Sequence, residues 1–297
     1  MASLWSGVFP AFTTPFRKDL SIDFDALGRH LELMLSNEIH GVVMLGSLGE
    51  NVSLSTQEKE QVIRFTLDTV ADRVPVLSGV AELCTQAAVR YIADAKSWGV
   101  QGVMVMPSMA FRPDAAETVA HYTTIAESTD LPIMVYNNPL SYHADMLPEM
   151  YEPLSKFDHV VAIKESSGDT RRTTDILTRW GDRFTLFAGV DDLALECCVL
   201  GAKGWVAGIG LAFPKENARL WSLMMQGRWD EALPLYRWFT PLMHLDVGPK
   251  FVQKIKLALH HEGIHEEWVR LPRLPLSSAE RESTLRIISS AVEQRPC

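Results

Sequence analysis

Eight short apolar runs recur along the chain, each followed by a longer amphipathic segment, and this alternation narrows the available folds more than any other feature. The runs fall at residues 7–12, 41–45, 75–80, 102–106, 132–136, 160–164, 184–188 and 204–207. They are apolar on both faces, the pattern of parallel strands packed inside and covered outside by helices. Between them, residues 23–36 place Leu27, Leu31, Met34 and Leu35 on one face, and Ser55 with Glu58 forms a capping box at a helix start. Residues 85–98 end at Gly99, a helix-stopping position, and helices are also expected at 114–128, 147–157, 170–180, 192–200 and 214–226. Eight strand–helix repeats without a break in composition predict an α/β fold, a (β/α)8 TIM barrel over residues 1–226. A doubly wound sheet is the alternative, but its Gly-rich turn after the first strand is replaced here by Thr13-Thr14-Pro15-Phe16. Helices at 229–245, 249–262 and 278–293 then make residues 227–297 a C-terminal helical extension packed on the barrel. A Pro-rich stretch, Arg270-Leu271-Pro272-Arg273-Leu274-Pro275-Leu276, joins the last two.

Bulk properties restrict function only loosely. A formal net charge of −9 argues against general nucleic-acid affinity, although a local pocket can be positive on a negative protein. No apolar run approaches the roughly 20 residues of a membrane helix. Met1-Ala2-Ser3-Leu4-Trp5 lacks the basic and apolar regions of a secretory signal, so a cytoplasmic location is expected. Cys84, Cys197, Cys198 and Cys297 form neither a C-x-x-C pair nor a disulfide framework and read as buried free thiols.

Barrel active sites are built at the C-terminal ends of the strands. Among those ends Lys164 stands out, because Val160-Val161-Ala162-Ile163 would bury its stem in the core. Desolvation there would favour the free amine, a nucleophile toward carbonyl carbon. Position alone is equally compatible with a lysine reaching back to solvent. Tyr136 ends the neighbouring strand and could pass a proton, or could be a core aromatic. Gly46-Ser47-Leu48-Gly49 could present backbone N–H groups to a carboxylate, with the Ser47 hydroxyl bonding the Tyr136 oxygen, or could be an ordinary Gly-bearing turn. Asn138, Ser141 and Ser166 are rim polar groups suited to substrate binding, and also to capping. Gly189 and Ile209 end the seventh and eighth strands. His143 has no spaced His, Asp or Cys companion, so no metal is expected.

Taken together, Thr13-Thr14-Pro15-Phe16, Gly46–Glu50, Tyr136-Asn137-Asn138-Pro139, Ile163-Lys164-Glu165 with Gly168-Asp169, Gly189 with Asp191, and Gly201-Ala202-Lys203-Gly204 resemble the dihydrodipicolinate synthase and N-acetylneuraminate lyase family over nearly the whole chain. The resemblance implies a class I aldolase-type barrel with C-terminal helices, assembled as a homotetramer or dimer, that acts on a small-molecule carboxylate without metal or organic cofactor. It implies Lys164 as the Schiff-base lysine, Tyr136 as the proton-transfer residue, and Ser47 with the amides of Ser47 and Leu48 as the carboxylate cradle.

The chain also departs from that pattern. Synthases carry an arginine five residues after the tyrosine, where this chain has Ser141. They borrow a tyrosine from a neighbouring subunit at the position of Met109, and their paired cradle threonines are here Ser47-Leu48. These departures point away from lysine biosynthesis. The Tyr136–Pro139, Lys164–Ser167 and Arg270–Leu276 variants look like a catabolic subgroup that includes 1-pyrroline-4-hydroxy-2-carboxylate deaminases of hydroxyproline breakdown. A 2-keto-3-deoxy sugar-acid aldolase or dehydratase is the alternative, followed by the synthase itself and by a non-catalytic oxo-acid-binding barrel. Met109, Ala110 and Phe111 are a candidate apolar subunit contact, a lid or core.

Overall fold

The structure, a computed structural model, describes residues 4–296. Its strands are β1 (Gly7–Val8), β2 (Val42–Met44), β3 (Val76–Val80), β4 (Gly102–Val105), β5 (Ile133–Asn137), β6 (Val160–Glu165), β7 (Thr185–Ala188) and β8 (Gly204–Trp205). All eight pair in parallel in the order β1-β8-β7-β6-β5-β4-β3-β2. The ring closes above β1: Phe12 N–H donates to Val43 O and Val43 N–H to Pro10 O, both at 2.9 Å, while Ala11 N–H turns to Ala207 O. The first run is therefore as long as its sequence suggests, but its upper half divides its hydrogen bonds between two neighbours. The result is the expected (β/α)8 barrel.

Around it stand α1 (Phe24–Leu35), α2 (Thr56–Val70), α3 (Thr85–Trp98), α4 (Ala115–Glu127), the single turn α5 (Pro139–Tyr142), α6 (Arg171–Trp180), α7 (Ala194–Val199) and α8 (Pro214–Met225). The Ser55–Glu58 capping box forms as expected, and Asp114 with Glu117 builds a second one at the start of α4. The helix expected over 147–157 is instead two 3-10 turns, Pro148–Tyr151 and Leu154–Lys156. Pro153, in the interior of that segment, lacks the N–H donor a continuous helix needs. The segment at 192–200 likewise begins with a 3-10 turn before α7. Among the described cysteines Cys197 and Cys198 are buried free thiols, but Cys84 is exposed, because it sits at the start of α3 outside the core. Cys297 lies outside the described residues.

The chain ends in α9 (Trp229–Met243), α10 (Phe251–His261) and α11 (Ser278–Glu293), whose apolar faces join the barrel's own hydrophobic cluster through Phe239, Leu242, Ile255 and Ile288. No helix among the described residues is long and apolar enough to cross a membrane. The extension is fastened by charge as well. Lys256 of α10 donates to Glu50 Oε1 at 2.6 Å and to Trp268 O at 2.7 Å, and neither side chain of the ion pair is exposed. The second oxygen of Glu50 accepts from Arg270 N–H at 3.0 Å. The Arg270 guanidinium grips Glu58 and Leu20 O and lies 4.5 Å from the centre of the Phe16 ring. Burial pulls Lys256 down to about 8 from an ordinary 10.5, against the pull of Glu50.

Removing one member of such a pair strands a buried charge, a cost of about 3–5 kcal/mol. Lys256→Met is expected to destabilise the protein by about that much in chemical denaturation, and adding Glu50→Gln to recover part of the loss. Additive losses in the double variant would show that the two side chains do not interact.

Candidate active site

A cavity of about 480 Å³ opens at the C-terminal ends of the strands. Its floor and near walls include Ala11, Gly46, Ser47, Leu48, Tyr136, Asn138, Ser141, Tyr142, Lys164, Ser166 and Gly189. Asp246 through Phe251, leading from α9 into α10, forms the remaining wall. A depression of about 600 Å³ lies between α1 and α8 at the opposite end of the barrel, lined by Met34, His40, Trp221 and Met225 among others. The smaller cavity is the candidate active site, because it gathers an amine, two phenols, a carboxyl and several hydroxyls.

Lys164 and Tyr136 are register partners on adjacent strands, as are Glu165 and Asn137. Strand alternation sends the first pair inward and the second outward. Lys164 is 6% exposed, and its Nζ lies 4.1 Å from the centre of the Tyr136 ring. Burial lowers the pKa of its ammonium, while Asp246, Tyr142 and Asp191 resist that shift. Burial likewise raises Tyr136 to about 12 from an ordinary 10.0, opposed by an Asn138 Nδ2 hydrogen bond to its oxygen at 3.0 Å. Burial thus favours the uncharged form of both the amine and the neighbouring phenol.

The Gly46–Gly49 turn is framed by two residues in the left-handed region, Leu45 at φ 58° and Glu50 at φ 54°. This costs backbone energy but folds the loop inward. Asn51 Nδ2 holds it by donating to Leu45 O at 2.8 Å and Gly79 O at 3.1 Å, and Thr14 Oγ1 donates to Gly49 O at 2.8 Å. Among the described residues, neither the Ser47 N–H nor the Leu48 N–H donates to a protein acceptor. The Ser47 hydroxyl does not take the Tyr136 oxygen as its hydrogen-bond partner. It bonds instead to the hydroxyl of Tyr142, whose single-turn helix α5 leans over the cradle.

The other expected substrate-binding residues divide by their bonding. Asn138 caps α5, accepting from Ser141 N–H at 3.0 Å, so these two serve the local fold while lining the cavity. Ser166 Oγ is buried without a hydrogen-bond partner among the described residues, although near enough to favour ionisation of Tyr136. Gly189 lines the cavity because a side chain would not fit: a Cβ there would meet Ser166 Oγ at 2.0 Å and Lys164 Cγ at 2.8 Å. Ile209 stands apart from the lining residues and is buried. Its N–H donates to Asp191 at 2.7 Å, so neither it nor its side chain is offered to a ligand.

Three groups had no role assigned from the sequence, although Glu165 and Asp191 belong to the motifs quoted above. Asp191, buried, accepts from Trp205 Nε1, Gly208 N–H and Ile209 N–H and ties β7 to β8 below the cavity. Outside the barrel, Glu165 accepts from Asn137 Nδ2 at 3.0 Å and Ser167 N–H at 2.6 Å, and Asn137 continues to Asp145 and thence to Arg172. That chain of bonds pins the loop carrying Asn138 and Tyr142. Asp246 comes from the C-terminal extension, and a Cβ on Gly208 would lie 2.7 Å from its Oδ2. Burial, reinforced by Asp191, raises its carboxyl well above the usual range, against the attraction of Lys164. Its one sequence signal was a lone acid between Leu245 and Val247. Met109, the candidate subunit contact, packs partly on the core, whereas Ala110 and Phe111 are exposed.

The dihydrodipicolinate synthetase family profile matches residues 4–291. The chain is 34% identical over 270 residues to a 4-hydroxy-tetrahydrodipicolinate synthase of Phocaeicola vulgatus, covering 91% of each chain. It is similar in structure to the 4-hydroxy-tetrahydrodipicolinate synthase of Methylacidiphilum fumariolicum, with a TM-score of 0.91, 29% identity and 98% of both chains covered. The chloride-inhibited dihydrodipicolinate synthase of Acinetobacter baumannii complexed with pyruvate superposes with a TM-score of 0.91 at 26% identity, covering 97% of this chain and 99% of that one.

Since Asp246 opposes the burial-driven lowering of the Lys164 pKa, Asp246→Asn should lower the pKa of the amine further. The rising limb in the pH dependence of imine formation with pyruvate, measured by reductive trapping, is then expected at lower pH than in the wild type. A limb that stays in place or moves up would show that the carboxyl does not act on the amine.

Proposed function

The chain belongs to the dihydrodipicolinate synthetase family, and from that premise we propose that it is a Schiff-base lyase of a small 2-oxo acid or cyclic imine carboxylate, with 1-pyrroline-4-hydroxy-2-carboxylate as the first candidate substrate. The observation that carries the reading is Lys164 itself, a buried amine at the ring face of its register partner Tyr136, opening onto a cavity with an N–H-lined turn. The Lys164 amine adds to C2 of the substrate, whose carboxylate is held by the Ser47 and Leu48 N–H groups. The ring C–N bond breaks, leaving the substrate bound to Lys164 as an imine. Tyr136 assists removal of a C3 proton, and the 4-hydroxyl leaves as water. The C3–C4 double bond then tautomerises to an imine at C5, and two hydrolyses follow: water at C5 releases ammonia, and water at C2 frees the lysine and 2-oxoglutarate semialdehyde.

The charge inventory favours a substrate with one carboxylate. Two cations line the cavity, Lys164 and Lys250, and Lys250 is held by both oxygens of Glu280 at 2.6 and 2.7 Å. Ser141 brings no charge, so a second carboxylate would find no free cation among the described lining residues. Ser166 Oγ is placed to meet a substrate hydroxyl, which also suits a 2-keto-3-deoxy sugar acid. A second reading, synthesis of 4-hydroxy-tetrahydrodipicolinate from pyruvate and an aldehyde, is favoured by the activity named for the relatives at about one-third identity.

A panel of hydroxyproline-derived pyrroline, keto-deoxy sugar acids, N-acetylneuraminate, and pyruvate with aspartate semialdehyde separates these readings. The pyrroline is expected to turn over most efficiently and to release ammonia. Highest kcat/KM with any other member would replace the substrate assignment. Lys164→Ala is expected to lose at least about 1,000-fold in kcat while keeping its near-UV circular dichroism. Near-wild-type turnover by that variant would remove Lys164 from the chemistry.

A further inference from the structure

Asp246 reaches the cavity from outside the barrel, at the end of the 3-10 turn His244–Asp246 that follows α9. It is half-buried, and among the described residues neither of its oxygens takes a hydrogen bond. Its seat is made by Gly208, just past β8. A Cβ on that residue would lie 2.7 Å from Asp246 Oδ2 and 2.8 Å from its Oδ1 and carboxyl carbon. Gly208 N–H meanwhile donates to both oxygens of Asp191 at 3.1 Å. Two acids thus share one glycine. Asp191 is fully buried and is also bonded by Trp205 Nε1 and Ile209 N–H, whereas Asp246 is open to the cavity.

The charges in the cavity do not balance once the nucleophile is ready. Its lining cations are Lys164 and Lys250, and Lys250 is held by both oxygens of Glu280. Lys164 attacks carbon only as the free amine. In that state Asp246 and Asp191 face no free cation among the described lining residues. A carboxylate drawn out of water needs a partner, and a protonated nitrogen on the substrate supplies the charge that the amine has given up. Beside such a nitrogen Asp246 also recovers the anionic form that burial disfavours.

We propose that Asp246 is a subsite for a cationic nitrogen, so that the chain selects small zwitterions, with a carboxylate and a protonated ring nitrogen on one carbon, over acids of the same shape with oxygen in place of that nitrogen. This subsite rests on the Schiff-base reading given above and narrows its substrate class. In such a ring C2 bears both groups. Presenting C2 to Lys164 on β6 sends the carboxylate to the Ser47 and Leu48 N–H groups beyond β2. The nitrogen is then left for Asp246, over the end of β8. Asp246 forms no bond to carbon in this role; charge pairing alone orients the ring and sets the preference.

Proline and tetrahydrofuran-2-carboxylate test the subsite, because the two rings differ by an ammonium against an oxygen. Each is titrated as an inhibitor of borohydride trapping of pyruvate. The ratio of their inhibition constants is read, so that a change in the amine itself cancels. The wild type is expected to bind proline about tenfold to a hundredfold more tightly, the range of a hydrogen bond to a charged group. Asp246→Asn, with its near-UV circular dichroism retained, is expected to bring the ratio within about threefold of unity. Gly208→Ala keeps the carboxyl but crowds it, and is expected to cut the preference by about threefold or more. Equal or absent inhibition of the wild type by the two probes, or a preference that survives both variants, would overturn the subsite while leaving the Schiff base intact. A wild-type enzyme that traps no pyruvate would overturn the Schiff-base reading and the subsite with it.

Discussion

The buried contact between Glu50 and Lys256 joins the C-terminal extension to the barrel beside the candidate cavity. Glu50 directly follows the Gly46–Gly49 cradle and occupies a left-handed backbone conformation that a glutamate does not favour unaided. Its carboxylate is held by Lys256, by Arg270 N–H and, at 4.0 Å, by Arg273, all from the C-terminal extension. Two charges taken out of water are a net gain only when their remaining hydrogen bonds are met, as they are here by Trp268 O and the Arg270 amide. The same docking sets α10 against the barrel and brings the Asp246–Phe251 wall over the cavity. Cradle shape and cavity closure therefore depend on one ion pair that touches neither substrate nor nucleophile.

Within the cavity, burial acts in the same direction on the groups of opposite charge type. It disfavours the ammonium of Lys164, the phenolate of Tyr136 and the carboxylate of Asp246. Burial thus works against charge on all three groups, while Lys164 and Asp246 each oppose that shift in the other. The charges that would disturb this balance are paired elsewhere: Lys250 with Glu280, and Arg172 with Asp145. A substrate with a single carboxylate enters such a site without leaving a second charge unpaired.

The barrel was legible because its signal is repeated. Eight two-faced apolar runs with helices between them leave few alternatives, even where β1 and β8 form only two ladder residues each. Lys164 and Tyr136 were legible because a polar group at the end of an apolar strand is conspicuous, and both strands end at the same rim. What the sequence hid were contacts between distant segments. No spacing relates Ser47 to Tyr142, and an acid at 246 in a helical extension gives no sign that it reaches the barrel mouth. The misplaced helix at 147–157 and the assignment of Ile209 to the substrate share a cause: local pattern was followed where proline chemistry and the acceptor Asp191 decide. Asn138 and Ser141 show the reverse, residues read both as rim groups and as caps that are both at once.

The central claim is that the buried amine of Lys164 forms a covalent imine with a 2-oxo acid. Borohydride reduction of the intact protein in the presence of pyruvate, followed by proteolysis and tandem mass spectrometry, tests it most directly. The account predicts one reduced adduct per chain, on the peptide containing Val160–Glu165 and localised to Lys164, and none when pyruvate is omitted. An adduct spread over surface lysines, or no adduct at a pyruvate concentration that protects the enzyme from inactivation, would contradict it.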